Sequence, residues 1–269
     1  MNNKLQTILL KAKEDVYTHL SGGNISRILG QGYDFSELRE YDVSDDIRHI
    51  SWINSAKLGQ PYVKKMHEER ELNVAVCSLL DGRFLVGRKR ELLEYVVAVL
   101  GYSSYESNDL FTAFTFVGSE LKNYEPTKNL YSIEHVVEEI SRIELLGKKR
   151  DDSQINRIEM ESKHLLFVIG DFLDFVDLSV LAQKHEVVVI IVRDVLEENP
   201  NASVNIQLIN PQTNHLIHQL LSKKAILHYK AKLLEHDKKL FHHFNEHAVK
   251  YVKIYTENEV LWKLEQLLR

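Results

Sequence analysis

Apolar segments of strand and helix length alternate along the chain from residue 72 onward. The strands are expected at Leu72–Leu80, Leu110–Val117, His164–Ile169, Val187–Val192 and Val252–Thr256. The helices are expected at Lys89–Leu100, Ile133–Ile143, Leu178–Lys184, Lys223–Lys250 and Glu259–Leu268. Nearly continuous apolar strands that alternate with helices are typical of a parallel sheet covered on both faces. We therefore predict an α/β fold, a doubly wound and mostly parallel sheet with helices on both sides.

The first 71 residues follow a different pattern. Apolar residues recur at helical spacing from Leu5 to Leu20, and Ser21-Gly22-Gly23 ends that helix. The segment 30–71 is polar, contains scattered aromatic residues and has no strong helical period. This composition predicts a small β-rich appendage that ends with a strand near Tyr62–His67. The predicted units are therefore residues 1–71, a helix plus appendage, and residues 72–269, the α/β domain. Asn210-Pro211 predicts the turn of a hairpin inserted before the long helix.

Composition narrows the class of protein. The chain has 269 residues, 44% hydrophobic, with a net charge of −5, so no overall field attracts nucleic acid. No apolar stretch approaches the ~20 residues of a membrane-spanning helix, and the amino terminus has no basic-then-apolar signal. Cys77 is the single cysteine and lies within a predicted strand, as a core residue would. We expect a cytoplasmic protein without membrane insertion.

Two acidic residues follow predicted strands of the sheet. Asp81 follows Leu72–Leu80, and Asp171 follows His164–Ile169. In open α/β sheets, ligands bind beyond the carboxyl ends of the strands. The candidate site is therefore predicted at this edge of the sheet.

A dense motif runs through the appendage segment. Its members are Gly30, Gly32, Phe35, Leu38, Arg39, Tyr41, Asp45, Asp46, Ile47, Arg48, Ile50, Trp52, Ala56, Lys57, Glu68, Glu69, Arg70 and Glu71. The stretch resembles the signature of the family called domain of unknown function 58, departing from it at Ser44 and Ser51. We expect structural roles for the charged and aromatic members, which are Arg39, Tyr41, Asp45, Asp46, Arg48, Trp52, Glu69 and Arg70. Ion pairs of Arg39, Arg48 and Glu69 should fix the appendage to the sheet, with Ile47 and Ile50 pointing inward.

The resemblance implies a fold and a cellular setting. The implied fold is a von Willebrand factor A-like domain with a metal-ion-dependent adhesion site at the top of the sheet. Proteins of the family are typically encoded beside MoxR-type AAA+ ATPases. The resemblance therefore implies a MoxR-type ATPase, or its client protein, as the partner in maturing or remodelling other proteins.

The metal motif of the family is incomplete in this chain. The family pattern is Asp-x-Ser-x-Ser, but here Asp81 is followed by Arg83 and Leu85 at the two serine positions. The family's threonine is also missing, and Asp171 matches the last acidic ligand. Because a small hard cation needs several oxygen ligands, we predict a degenerate site with no metal or other cofactor, and Mg²⁺ or Ca²⁺ is not favoured. Either Arg83 lies between Asp81 and Asp171 as a built-in counter-ion, or it points to solvent.

No sequence feature indicates catalysis strongly. A phosphate-binding glycine loop with a lysine is missing, as is a local nucleophile–histidine pair. His243 and His247 share a helix face, which we interpret as solvated. We predict a non-enzymatic adaptor that uses the degenerate face at Asp81, Arg83, Leu85 and Asp171. The alternatives are a metal-dependent hydrolase using Asp81, Asp171, Asp174 and histidines, and a conventional metal-dependent adhesion-site protein.

Overall fold

A computed structural model describes residues 3–21, 35–42, 45–66, 72–200, 205–220 and 222–268. The helices are α1 Asn3–Ser21, α2 Trp52–Leu58, α3 Lys89–Glu106, α4 Leu130–Arg142, α5 Ser179–Lys184, α6 Val195–Glu198, α7 Lys223–Glu246 and α8 Val260–Leu268. The strands are β1 Phe35–Glu40, β2 Tyr62–Met66, β3 Asn73–Leu80, β4 Leu110–Val117, β5 Glu120–Thr127, β6 Leu165–Gly170, β7 Glu186–Val192, β8 Asn205–Asn210, β9 His215–Leu220 and β10 Lys250–Ile254.

A six-stranded sheet forms the centre of the fold, in the order β10-β7-β6-β3-β4-β5. The first five strands are parallel, and β5 runs antiparallel to β4. The chain starts the sheet at β3, extends it to one side through β4, and returns to the other side at β6. The order therefore reverses between β3 and β6, which is where doubly wound sheets place their ligands. The predicted doubly wound, mostly parallel α/β fold is confirmed.

The sheet has a hydrophobic core on each face. On one side, Val74 and Val76 of β3 pack in a cluster with residues of α1, α3, α4 and α8. On the other side, Ala75, Cys77 and Leu79 pack with residues of α5 and α7. Successive side chains of a strand point to opposite faces, so a strand buried on both faces must be apolar throughout. Burial also raises the pKa of the Cys77 thiol to about 12, as expected for a core residue.

Strand β5 was not predicted, because its sequence does not look like a buried strand. Apart from Leu121, Tyr124 and Pro126, its residues are polar or charged, and all eight are exposed or half-buried. Proline and charge are tolerated at a sheet edge, where one row of backbone groups has no strand to pair with. Antiparallel pairing with β4, across a short turn that contains Gly118, therefore makes this segment a strand.

The amino-terminal region is only partly β-rich. Strands β1 and β2 form their own antiparallel sheet, with the unpredicted helix α2 between them. Helix α1 packs against α3, and its apolar residues, including Leu5, Ala12 and Val16, belong to the core of the α/β domain. The division at residue 71 remains a prediction, but α1 shares its core with the second unit.

Several predicted boundaries are wrong. Helix α3 continues to Glu106 instead of ending at Leu100, and β10 is Lys250–Ile254 instead of Val252–Thr256. Helix α7 ends at Glu246, because Lys250 begins the edge strand β10, which is registered against β7. Helix α4 is capped by Asn129, whose side chain accepts the backbone N–H of Tyr131 at 2.8 Å, and so begins at Leu130 instead of the predicted Ile133. The predicted hairpin is present as β8 and β9. Among the described residues, no helix is both long and apolar enough to cross a membrane.

Candidate functional site

Asp81 lies directly after β3 and is fully buried. Its carboxylate caps a short 3₁₀ turn, Gly82–Leu85, by accepting the backbone N–H of Arg83 at 2.8 Å. The same turn brings the Arg83 side chain back over the carboxylate. Nε of Arg83 donates to Oδ2 of Asp81 at 3.0 Å, and Nη2 donates to the same oxygen at 2.6 Å.

The guanidinium group of Arg83 also reaches the end of β6. Its Nε lies 3.1 Å from Oδ2 of Asp171, and its Nη2 lies 3.0 Å from Oδ2 of Asp174. Burial by itself lowers the pKa of Arg83, but the charges of Asp171, Asp81 and Asp174 raise it above the ordinary arginine value. The side chain is 13% exposed, so it points inward between the carboxylates, as the first of the two alternatives states.

A second cation lies on the other side of Asp171. Nζ of Lys89, at the start of α3, is 3.5 Å from Oδ2 of Asp171 and 2.6 Å from Oε1 of Glu197, and its side chain is almost fully buried. Burial raises the pKa of Glu197 above the ordinary glutamate value, although Lys89 lowers it in part. The sequence carried no local signal for Lys89, because both partners are about 80 residues or more away.

Arg193 shapes the backbone that presents Asp171. Phe172 has a φ of 48°, in the left-handed region that non-glycine residues rarely adopt. The buried Arg193 side chain donates to the carbonyl oxygen of Asp171 and, at 3.0 Å, to that of Phe172. It also donates to Oδ1 of Asp237 at 3.1 Å. Arg193 therefore fixes the turn after β6 through the backbone.

The turn between β8 and β9 covers the Asp81 carboxylate. Nε2 of Gln212 donates to Oδ2 of Asp81 at 2.9 Å. The carbonyl oxygen of Pro211 accepts the backbone N–H of Gly147 at 2.8 Å, and it would lie 2.1 Å from a Cβ added at Gly82. The hairpin was predicted, but its contact with the site was not, since Gln212 and Asp81 are 131 residues apart.

The residues at this edge of the sheet do not fit a bound divalent cation. The space between Asp81 and Asp171 is filled by the guanidinium of Arg83, and the Gln212 amide donates to the same Asp81 oxygen, Oδ2, that the guanidinium contacts. A hard cation needs converging oxygen acceptors, whereas these neighbours present N–H donors. Leu85 is 44% exposed and supplies no oxygen. Across the described ranges, no group of three or more His, Cys, Asp or Glu is arranged to hold a metal ion.

His243 near the end of α7 and His247 directly after the helix pack against each other. Nε2 of His243 accepts the backbone N–H of Leu178 at 3.2 Å, just before α5, and the ring packs 4.6 Å from that of His247. Burial lowers the pKa of His243, although Asp177 opposes that effect. The interpretation of a fully solvated helix face is therefore wrong for His243, which serves as an acceptor at the start of α5.

The signature residues form local pairs within the appendage. Nη2 of Arg39 lies 2.5 Å from Oδ1 of Asp45, and Nη2 of Arg48 lies 2.6 Å from Oδ2 of Asp46. Among the described residues, Arg39 and Arg48 pair with acids within six residues of each and not with the central sheet, contrary to the expected role, while the predicted pairing with Glu69 is untested. Tyr41 contributes its backbone N–H, which donates to the carbonyl of Pro61 at 2.8 Å.

Other signature residues are either exposed or outside the described part of the chain. Ile47 was expected to point inward but is 64% exposed, and Trp52 is 71% exposed at the start of α2. Ile47 begins a 3₁₀ turn that is capped by Asp46, whose side chain accepts the backbone N–H of Arg48. Glu69 and Arg70 lie outside the described residues, so their predicted roles are untested.

Comparisons with known proteins identify a family without assigning it an activity. The family model described as "Protein of unknown function DUF58" matches residues 37–239. Uncharacterized proteins of Mycobacterium tuberculosis and Mycobacterium bovis are 29% identical over 102 residues, which is 36% of this chain. The matched stretch spans 32% of those relatives, about a third of their length.

A solved structure is also similar in part. It is the crystal structure of conserved hypothetical protein BatB from Bacteroides thetaiotaomicron, with a TM-score of 0.41 and 15% identity. The match covers 73% of this chain and 97% of that one. With the family model spanning most of its length, this chain belongs to the family of proteins of unknown function DUF58.

Proposed function

We propose that this chain is a non-enzymatic interaction protein, an adaptor whose adhesion-type face works without a metal ion. The observation that supports the proposal is the position of the Arg83 guanidinium, within 3.1 Å of oxygens from Asp81, Asp171 and Asp174. A permanently charged guanidinium balances these carboxylates from inside the protein. An arrangement of this kind keeps the shape of the site and removes the need for a cation.

Internal charge balance changes how a partner can bind. A metal-dependent adhesion site leaves one coordination position open for a partner's carboxylate, but here Asp81 and Asp171 are fully buried. The accessible groups are at the rim, where Leu85 and Asp174 are exposed, and on the turn that carries Gln212. In this proposal, a partner recognises the rim by shape and by ordinary polar contacts.

The appendage offers a second surface of the kind that protein partners use. Four apolar side chains around α2 are exposed: Ile47, Trp52, Ile53 and Leu58. Neighbouring exposed apolar residues often mark interaction sites, and tryptophan is enriched among the residues that dominate binding energy. We infer that this surface, which includes two signature residues, contributes to partner binding.

The partner that we propose is a MoxR-type AAA+ ATPase or its client protein. This part of the proposal rests on the family resemblance. The same proposal places the protein in the cytoplasm, without a cofactor and without nucleic acid as a partner.

Affinity purification of the tagged full-length chain from its own cells, after mild cross-linking, tests the proposal. We expect an AAA+ ATPase among the cross-linked proteins, with less of it recovered for Leu85→Asp or Trp52→Ala. Leu227→Asp is the matched control, because Leu227 is an exposed leucine on α7 that belongs to neither set of surface residues. If no AAA+ ATPase is recovered among the cross-linked proteins, the proposed partner is contradicted. Loss of the partner in chelator would instead favour a conventional metal-dependent adhesion site.

A further inference from the structure

A cavity of about 510 Å³ lies between α1, the turn after β3, α3 and the end of α4. This volume is in the usual range for ligand pockets in proteins. One wall is apolar and is formed by Leu5, Phe84 and Leu85, while Arg90 and Glu94 belong to the polar wall. The cavity is next to the Arg83 site, since Phe84 and Leu85 follow Arg83 in the same turn, but it contains neither Asp81 nor Asp171.

Glu94 is the unusual group in this cavity. It is 5% exposed, and within the described residues its carboxyl receives one hydrogen bond, from Nε of Arg90 at 3.2 Å. The Nη2 atom of Arg90 donates instead to the carbonyl oxygens of Ile140 and Ser141, at 2.9 and 2.5 Å. Arg90 therefore divides its charge between Glu94 and the negative end of α4. A buried carboxylate at Glu94 is only partly compensated.

The other charged side chains around the cavity are paired more closely. Nζ of Lys4 lies 2.5 Å from Oε1 of Glu91, and Nη2 of Arg142 lies 2.6 Å from Oε1 of Glu138. Burial raises the pKa of Glu94 to about 7 despite Arg90. For Glu91, burial acts in the same direction, but Lys4 and Arg88 lower its pKa below the ordinary value. Glu94 is thus the cavity carboxyl that a further cation would stabilise most.

We propose that this cavity binds a primary ammonium or guanidinium group carried on an aliphatic chain. The Glu94 carboxylate accepts hydrogen bonds from the cationic group, and Leu5, Phe84 and Leu85 pack against the aliphatic part. Two sources supply this chemistry, a free alkyl diamine and a lysine or arginine side chain of a protein. The proposal is independent of the ATPase partner discussed above.

Isothermal titration calorimetry on the full chain at pH 8 tests the proposal with two cationic probes, cadaverine and N-acetyl-lysine methylamide. Glutarate and 1-pentanol are the anionic and uncharged controls. We expect saturable binding of both cations, at least tenfold weaker binding in Glu94→Gln, and no saturable binding of the controls. Glu139→Gln is the matched variant on α4 and lies outside the cavity, so it should bind as the unmodified chain does.

The outcomes separate the two sources and can overturn the proposal. Tighter binding of the acetyl-lysine probe supports a protein side chain, and tighter binding of cadaverine supports a free amine. Absence of saturable binding for both cations, or full binding in Glu94→Gln, overturns the proposal. The unmodified chain provides a test that needs no variant, because the affinity should fall as pH drops through 7 and Glu94 gains its proton. A constant affinity between pH 6 and pH 8 would also overturn it.

Discussion

The Arg83→Met variant tests whether Arg83 is a built-in counter-ion. Methionine keeps much of the apolar volume of arginine but removes the positive charge. The Asp81 and Asp171 carboxylates would then remain fully buried, with the Lys89 ammonium 3.5 Å from Asp171 and the Gln212 amide on Asp81. Neither of these contacts replaces a guanidinium at 2.6 Å from Asp81 and 3.1 Å from Asp171.

The expected loss of stability is large. Removing one partner of a buried ion pair costs about 3–5 kcal/mol, because a buried charge is left uncompensated. The contact of Arg83 with Asp174 adds little, since that carboxylate is half exposed. In a protein of this size, 1 kcal/mol corresponds to about 2–4 °C in Tm. We therefore expect Arg83→Met to lower Tm by roughly 6–20 °C.

Urea denaturation and thermal unfolding measure the loss of stability. Variants in which asparagine replaces the buried aspartates show whether uncompensated charge causes that loss. Adding Asp81→Asn and Asp171→Asn to Arg83→Met should recover most of the lost free energy of unfolding, because no charge then stays buried without a partner. Arg88→Met is the control, since Arg88 is 68% exposed while it pairs with Glu91 and Glu257, and it should cost less than about 1 kcal/mol per pair.

Two results would refute the counter-ion role. The first is a loss in Arg83→Met as small as that in Arg88→Met, which would mean that the Arg83 charge is solvated. The second is a triple variant no more stable than Arg83→Met, which would mean that the loss arises from packing and not from charge.

Three further predictions concern the metal motif, a titrating carboxyl and the hairpin turn. Arg83→Ser with Leu85→Ser should create weak Mg²⁺ binding measurable by calorimetry, and no binding at millimolar Mg²⁺ would count against the geometry described for the site. Because burial raises the pKa of Glu94 from its ordinary value to about 7, the unfolded chain loses this proton first as pH rises. The free energy of unfolding should thus fall by about 3 kcal/mol between pH 4 and pH 8 from this group alone. Glu94→Gln should remove that part of the pH dependence, and an unchanged pH profile in urea denaturation would contradict the assignment. Gly82→Ala should lower the free energy of unfolding by about 1–3 kcal/mol, since its Cβ would meet the backbone oxygen of Pro211. It should also increase proteolysis at the β8–β9 turn. An unchanged Tm and cleavage rate would show that the turn does not lie against Gly82.

Much of the fold and part of the site could be predicted from the sequence alone. The strands β3, β6 and β7 were recognisable because a strand buried on both faces must be apolar at every position. The acidic residues Asp81 and Asp171 follow two of these strands, and neighbouring parallel strands bring their carboxyl ends together. The positions of these strands and of the acids that follow them depend on short-range pattern, so no knowledge of distant contacts was needed. The expectation of two serines at the positions of Arg83 and Leu85 came from the family resemblance.

Only the tertiary structure determined how the site is completed. Strand β5 forms because β4 offers it an edge, and Ile47 is exposed in a short 3₁₀ turn that the apolar pattern did not predict. Lys89 and Gln212 reach the carboxylates from positions far away in the sequence, where no local pattern distinguishes them from surface residues. The free energy of a buried charge depends on which groups surround it in space. Which cation balances Asp81 and Asp171 is therefore determined by the packing of distant segments.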